Sequence, residues 1–186
     1  MIDALARRQL TRRQAIVCLA ALLLPASVCT LLVWAYLPHW WQLSAYFWYS
    51  IPGNSFILLP HEPAVIYAGT LYSPLLVALV GGAATVPASA LDHQLFTRAF
   101  RFRVLAQVRE TRLFRITARA FAIQPALTIV FFAFSPIPFY PIRIAAPLYE
   151  YPVTRYVIAV LVGRVPRYYL LAWGGEQAAK YLNWPF

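Results

Sequence analysis

The chain has 186 residues, a length that suits one domain, and 61% of them are hydrophobic while only 12% are charged. An average soluble protein carries roughly 25% charged residues, and a soluble fold of this size has too much surface for its volume to hide so much apolar area. Composition therefore excludes an ordinary soluble enzyme and predicts an integral membrane protein, whose net charge of +10 sets topology and meets anionic lipid headgroups rather than nucleic acid.

The N-terminal part is first basic and then apolar. Four arginines stand in residues 1–14: Arg7, Arg8, Arg12 and Arg13. The uncharged run that follows exceeds the ~20 residues needed to cross a hydrocarbon core. We therefore expect a cytoplasmic N-terminus and a first transmembrane helix at residues 15–37. A cleaved secretory signal is the alternative, but the run is too long and Ala26-Ser27-Val28 is a poor cleavage site.

The next apolar stretch is interrupted. Aromatic residues crowd between Trp34 and Tyr49, which predicts an interfacial belt on the outer side of the membrane. The stretch from Ile51 to Leu91 is too long for one span, and its prolines and glycines break it too often for two. We expect a short hairpin that re-enters the membrane from outside, followed by a transmembrane helix from about Tyr72 to Leu91.

Residues 92–119 form a basic segment. Seven arginines stand there against Asp92 and Glu110. On a helix, six of the seven fall within an arc of about 120°: Arg98, Arg101, Arg109, Arg112, Arg115 and Arg119. This pattern predicts a cytoplasmic amphipathic helix on the membrane surface, and a plain positive-inside loop is the alternative.

The second half of the chain repeats the plan of the first. A proline-rich stretch at 120–147 precedes an apolar segment at about 152–173, and residues 176–186 form a short tail. In each half a proline-broken segment with one charge, Glu62 or Arg143, precedes a span. We therefore predict an all-α integral membrane fold of transmembrane helices plus two re-entrant hairpins. The two halves would form an inverted repeat with a binding site near the midplane.

Four charged residues lie inside apolar segments: Glu62, Arg143, Arg164 and Arg167. An arginine at the centre of an isolated span costs roughly 2.5–3.5 kcal/mol, so these residues should face one another, a water-filled cavity or a ligand. Asp92 and Glu150 lie nearer the ends of their segments. Three arginines against one or two acids leave the interior positive, and the guanidinium fork matches phosphate. The four residues are therefore predicted to bind an anionic lipid headgroup.

A structural role for the same charges is the alternative. Glu62 and Arg143 would form an ion pair, while Arg164 and Arg167, at i and i+3, would extend together to a membrane interface. The protein would then be a non-transporting scaffold or assembly factor. An enzyme acting on lipid phosphates is more remote, with Glu62 as its candidate base. Because the three histidines lack zinc-ligand spacing and no nucleotide signature occurs, we predict no metal, cofactor or enzymatic activity.

Three short runs resemble one known superfamily. They are SPIPFYPIR at Ser135–Arg143, YPVTRY at Tyr151–Tyr156 and GRVPRY at Gly163–Tyr168. Together they resemble the DedA/VTT membrane proteins, which include the SNARE-associated bacterial proteins and eukaryotic lipid scramblases. Pro60-His61-Glu62-Pro63 and the span closing at Asp92 resemble the first half of that domain. The similarity places a VTT/DedA-like domain within residues 38–175.

The resemblance implies a function that agrees with the charges. Family members are thought to move phospholipids or undecaprenyl phosphate between leaflets, with proton coupling proposed in bacteria. Glu62 would be the acid of the first hairpin and Arg143 an arginine of the second. Better-studied bacterial members carry a further arginine where this chain has Phe134 and Ser135, so proton coupling and undecaprenyl-phosphate specificity are not implied here.

We therefore predict a scramblase or flippase-like translocator for an anionic phospholipid or polyprenyl phosphate. The expected location is a bacterial inner membrane, and a homo-oligomer is compatible with this prediction. The sequence leaves open which lipid is moved and whether transport is passive.

Overall fold

A computed structural model describes residues 12–55, 60–99 and 111–182 of the chain. Every regular element in these ranges is a helix, so the predicted all-α fold is confirmed for the part described. The helices form two compact units. The N-terminal unit consists of residues 12–55, 60–88 and 165–182, and the middle unit of residues 89–99 and 111–164.

The described ranges contain eight α-helices and one short 3₁₀ helix. In chain order they are α1 (Arg12–Tyr36), the 3₁₀ helix (Pro38–Trp40), α2 (Trp41–Gly53), α3 (His61–Leu71), α4 (Pro74–Ala99), α5 (Arg112–Ile123), α6 (Pro125–Phe134), α7 (Tyr140–Leu148) and α8 (Val153–Tyr181). Helices α4 and α8 each contribute residues to both units, because the division falls after Ala88 and after Arg164.

The order of helix lengths repeats. Helices α2, α3 and α4 have 13, 11 and 26 residues, and helices α6, α7 and α8 have 10, 9 and 29. In each series two short helices separated by proline precede one long helix. The expected helix from about Tyr72 to Leu91 is α4, which begins at Pro74 and extends to Ala99. Asp92 therefore lies inside a helix rather than after its end.

One helix in the described ranges is long and apolar enough to cross a membrane. It is the 23-residue stretch Pro74–Phe96 of α4, half of whose most apolar window is buried. Leu23–Tyr36 in α1 and Pro125–Phe134 in α6 are apolar but shorter. Length and composition alone carry this result, and the buried core helix of a soluble protein would also satisfy them.

The N-terminal unit has its core where α2 packs on α3. Proline at position 60 stands before α3 and Pro63 lies in its first turn, where a missing N–H costs nothing. The same unit includes the start of α4 and the end of α8. Its buried core residues are Leu43, Tyr46, Val65, Ala68, Val77, Ala78, Tyr168 and Ala172.

Glycine lets α3 and the end of α8 approach closely. A Cβ atom on Gly69 would collide with the backbone of Ala172, and a Cβ atom on Gly175 would collide with the carbonyl oxygen of Ile66. Backbone-to-backbone packing of this kind needs residues without a side chain. These contacts fix α8 against α3 and hence position Arg167 beside the first turn of α3.

In the middle unit α5 is amphipathic. Its N-cap Thr111 accepts a hydrogen bond from the Phe114 N–H at 3.3 Å, which starts the helix. Phe114 and Phe121 are buried, while Arg112, Arg115 and Arg119 are exposed. Three of the six arginines predicted to share one helix face are thus exposed together on α5. The side chains of the other three, Arg98, Arg101 and Arg109, lie outside the described part.

Helix α7 is the most enclosed element of the middle unit. All seven residues from Pro141 to Pro147 are buried. The helix ends in a turn where the Tyr151 N–H donates to Ala146 O at 2.8 Å and the Glu150 N–H donates to Pro147 O at 3.1 Å. This is a Schellman cap, and Glu150 occupies its left-handed position with φ of 50°. The cap turns the chain into α8 and so places Tyr156 and Arg164 near α7.

Candidate functional site

The middle unit contains a buried ion pair between α7 and α4. The Nε atom of Arg143 lies 3.0 Å from Oδ2 of Asp92, and the two side chains are only 7% and 2% exposed. Arg143 reaches this position because α7 has no exposed face between Pro141 and Pro147, so its polar side chain is carried into the core. An ion pair at this depth is screened little by solvent.

A second buried arginine shares the same surroundings. Arg164, on α8, is 7% exposed, and its guanidinium carbon lies 5.0 Å from the centroid of the Phe139 ring. The guanidinium carbon of Arg143 lies 5.9 Å from the same centroid and 5.3 Å from that of Tyr140. The electron-rich ring faces partly offset the repulsion between the two cations. Both guanidinium groups therefore lie beside the Phe139 ring, which precedes α7.

Arg143 and Arg164, which we call the arginine cluster, have Tyr156 near them, and His93 lies next to Tyr156. The Tyr156 ring lies 6.4 Å from Phe139 and 5.5 Å from His93, measured between centroids. The Tyr156 side chain is buried, and its hydroxyl makes no hydrogen bond to a described residue. His93 Nε2 lies 2.9 Å from the Tyr151 carbonyl oxygen. Since a carbonyl only accepts, Nε2 carries the proton and donates it, which links α4 to the turn before α8.

The chemistry of the cluster suits an anion with oxygen acceptors. Two guanidinium groups, a phenol and an imidazole converge there, and in the described middle unit Asp92 is the one buried acid. Arginine can offer up to five N–H donors in a planar fork that matches phosphate or carboxylate. Among the described residues the cluster holds more cations than acids, and such an excess is expensive unless another protein group, water or a ligand anion compensates it.

A second ion pair lies in the N-terminal unit. Arg167 Nη2 on α8 contacts Glu62 Oε1 in the first turn of α3, and the side chains are 21% and 55% exposed. Glu62 is also well placed beside the positive end of the α3 dipole. This pair is therefore more accessible to solvent than the pair of Arg143 with Asp92.

A buried polar network lies next to the Glu62–Arg167 pair. His61 Nε2 is 2.9 Å from Ser50 Oγ, and the hydroxyl of Tyr168 donates to Asn54 Oδ1. His61 also packs against three tyrosine rings, with centroid distances of 6.0, 6.5 and 5.1 Å to Tyr46, Tyr49 and Tyr168. The network joins α2, the residue after it, and α3 to α8.

The four residues predicted from the sequence fall into two groups. The middle unit holds Arg143 and Arg164, and the N-terminal unit holds Glu62 and Arg167. The ion pair considered between Glu62 and Arg143 is replaced by two others, because Arg143 pairs with Asp92 and Glu62 pairs with Arg167. The alternative in which Arg164 and Arg167 extend together to an interface does not fit Arg164, which is buried.

Asp92 was not predicted as a site residue, because in the sequence it lies near the end of its apolar segment. A signal was present in the sequence: Thr85, Ser89 and Asp92 recur at helical spacing, and all three are buried. A polar stripe on one face of an apolar helix points to a polar contact. Tyr156 and Tyr168 were not predicted as site residues either, although they end the runs YPVTRY and GRVPRY that carry the family resemblance.

No protein-family model, curated protein or solved structure matches this chain. Within the described ranges, histidine, cysteine, aspartate and glutamate form no group of three that could hold a metal ion.

Proposed function

We propose that this chain is an integral membrane protein of the DedA/VTT type that moves an anionic lipid between leaflets. Arg143 and Arg164 would bind the headgroup in the middle unit, and Glu62 with Arg167 would line the path in the N-terminal unit. One observation carries the proposal: the guanidinium groups of two buried arginines, Arg143 and Arg164, lie near the Phe139 ring. The buried acid Asp92 lies beside Arg143.

Exposed apolar side chains support the placement in a membrane. Residues of this type that are half or more exposed occur on α1, α4, α6 and α8: Leu24, Leu31, Leu75, Leu79, Leu127, Phe131, Ile158 and Val162. A soluble monomer rarely exposes so many large apolar groups, because each one costs free energy in water. Hydrocarbon would cover them at no such cost.

The repeated helix order supports two proline-broken hairpins. Helices α2 and α3 would form the first and α6 and α7 the second, each followed by a long helix. Short or broken helices at membrane depth are tolerated where protein or a cavity surrounds them, and α7 is buried in this way. We further propose that the hairpins enter from opposite sides, that the N-terminus is cytoplasmic, and that the membrane is a bacterial inner membrane.

The test is lipid movement in reconstituted vesicles. Purified protein with a fluorescent anionic lipid should give fast exchange between leaflets without a gradient. Arg143→Ala and Arg164→Ala should each slow it about tenfold or more, because each removes charge-assisted hydrogen bonds worth about 1.5–3 kcal/mol. Arg155→Ala, an exposed arginine on α8, is the matched control and should keep the wild-type rate. Wild-type rates in both buried variants, with folding intact, would remove the headgroup site.

A scaffold or assembly factor is the second candidate. It is favoured by the fact that Arg143 and Glu62 already have protein partners, as structural ion pairs require. The two functions differ in what an apolar replacement does. If Asp92→Leu combined with Arg143→Met folds and keeps its biological activity, the charges are structural and the scaffold is the better description.

A further inference from the structure

Tyr156 has a buried hydroxyl that is not engaged by the described part of the chain. The side chain is 1% exposed, and its hydroxyl makes no hydrogen bond to any described residue. The buried phenol of Tyr168, by contrast, donates to Asn54 Oδ1. A buried phenol has lost its hydrogen bonds to water, so an unengaged one destabilises the fold and calls for a partner such as a water or a ligand.

The position of this hydroxyl is fixed by the packing of its ring. The ring lies 5.5 Å from that of His93 and 6.4 Å from that of Phe139, measured between centroids. A tyrosine side chain has only two rotatable torsions, so a ring that is held in place holds its hydroxyl as well. The hydroxyl is therefore preorganised, and a ligand that meets it spends little entropy on ordering it.

The surroundings of the hydroxyl indicate which group it would meet. Arg143, Arg164 and Asp92 all interact electrostatically with the Tyr156 side chain. A guanidinium group only donates hydrogen bonds, so a ligand that binds to either arginine must present acceptor oxygens. A phosphate group presents several such oxygens, and can accept from a guanidinium and a phenol together. The hydroxyl keeps its position whatever other partners the two arginines have.

We propose that the Tyr156 hydroxyl donates a hydrogen bond to a phosphoryl oxygen of the anion that binds at the arginine cluster. The inference rests on the proposed function and adds a binding residue to its headgroup site. Tyr156 would contribute directed hydrogen bonding without charge. Its hydroxyl would gain its partner only when the ligand is bound.

Tyr156→Phe removes the hydroxyl and keeps the ring, so it should affect stability and binding in opposite ways. Without ligand the unfolding temperature should be unchanged or higher, because a buried polar group without a partner is lost. Affinity for the phosphate ligand should fall about tenfold, because a hydrogen bond to a charged acceptor is lost. A tyrosine with a purely structural hydrogen bond would show the reverse, with lower stability and unchanged affinity.

The test uses the full chain in detergent and records the shift in unfolding temperature as a ligand is added. The ligands are short-chain phosphatidylglycerol, diacylglycerol with the same chains but no phosphate, and inorganic phosphate. The wild type should respond to phosphatidylglycerol and not to diacylglycerol. A response to inorganic phosphate as well would assign recognition to the phosphate alone, and its absence would show that the site needs a lipid. In Tyr156→Phe the response should require about tenfold more phosphatidylglycerol.

Two other tyrosines serve as matched controls. Tyr149→Phe removes an exposed hydroxyl of the same unit, so it should bind phosphatidylglycerol like the wild type. Tyr168→Phe removes a hydroxyl that donates to Asn54, so its unfolding temperature without ligand should fall. The pair of controls calibrates the two readouts separately.

The outcomes separate this inference from the proposed function. Wild-type affinity in Tyr156→Phe, with weak binding in Arg143→Ala, would overturn the inference and leave the headgroup site in place. A lower unfolding temperature of Tyr156→Phe without ligand would assign the hydroxyl to a structural water or protein group and would also overturn it. The expected loss of affinity in Tyr156→Phe, with no lipid movement by the wild type in vesicles, would sustain the inference and remove the translocator. No response of the wild type to either phosphate compound would overturn the inference.

Discussion

Arg143 and Asp92 meet at 3.0 Å with side chains that are almost fully enclosed. The pair joins α7, the most buried helix of the middle unit, to the last part of the long helix α4. A buried pair of this kind stabilises little beyond an apolar pair of the same size, but loss of one partner is severe because the other is left charged. A substitution that removes one charge of the pair should therefore cost more free energy of unfolding than a double substitution that removes both.

Asp92→Ala should lower the free energy of unfolding by about 3–5 kcal/mol, because it leaves the Arg143 guanidinium buried without its carboxylate. Asp92→Leu combined with Arg143→Met should lie within about 1.5 kcal/mol of the wild type, since both charges are removed together. Chemical unfolding in detergent, followed by tryptophan fluorescence, measures both. Equal losses of unfolding free energy in the single and the double variant would show that the pair is not isolated from solvent.

Glu62→Gln should have a small effect on stability, about 1 kcal/mol or less, because the Glu62 side chain is 55% exposed and its pair with Arg167 is screened. Under the proposed function Glu62→Gln should nevertheless slow lipid movement. The control Glu176→Gln, which removes the partner of Lys180 on α8, should not slow it. Unfolding and vesicle assays on the same preparations give both quantities. A loss of several kcal/mol in Glu62→Gln would reveal a structural role instead.

Gly175→Ala and Gly174→Ala should move stability in opposite directions. The methyl group at 175 meets the carbonyl oxygen of Ile66, so we expect a loss of about 1–3 kcal/mol. The methyl group at 174 meets no atom within 4 Å, and alanine favours the helix over glycine by roughly 0.5–1 kcal/mol. Apparent unfolding temperatures of the two variants test the contact of α3 with α8, and a similar gain in both would contradict it.

Glu150→Gly should raise the free energy of unfolding by about 1 kcal/mol. Glu150 has φ of 50° in the Schellman cap of α7, a conformation that costs a residue with a Cβ roughly 1–2 kcal/mol. Part of the gain is cancelled because glycine also has more freedom in the unfolded chain. Glu150→Gln keeps the Cβ and removes the charge, so it should leave stability unchanged; a gain there would assign the effect to charge.

Local patterns were predictable, whereas long-range partners were not. Prolines and apolar runs predicted the break before α3 at Pro60, the break between α6 and α7 at 136–138, and the two long helices, since those signals act on neighbouring residues. The arginine face of α5 followed from helical spacing alone. The partner of Arg143 could not be found this way, because its choice of Asp92 over Glu62 depends on how α7 packs against α4.

The same limit applies to Arg164 and Arg167. Their spacing of i, i+3 predicts a common helix face, yet Arg164 is buried near Phe139 while Arg167 pairs with Glu62. A side chain as long as arginine can turn toward either of two neighbours. Helical spacing therefore fixes the position of its Cα atom, and packing decides which group its guanidinium contacts. The helix was therefore predictable and the roles of its two arginines were not.

The enclosure of α7 has a consequence for how relatives of this protein could be found. Pro141 to Pro147 are all buried, so nearly every substitution there changes the volume or the charge of the core. The exposed arginine face of α5 is free of that constraint. Among descendants of a common ancestor, residues 141–147 should therefore change slowly and α5 quickly. A search for distant relatives should weight the seven buried residues most heavily.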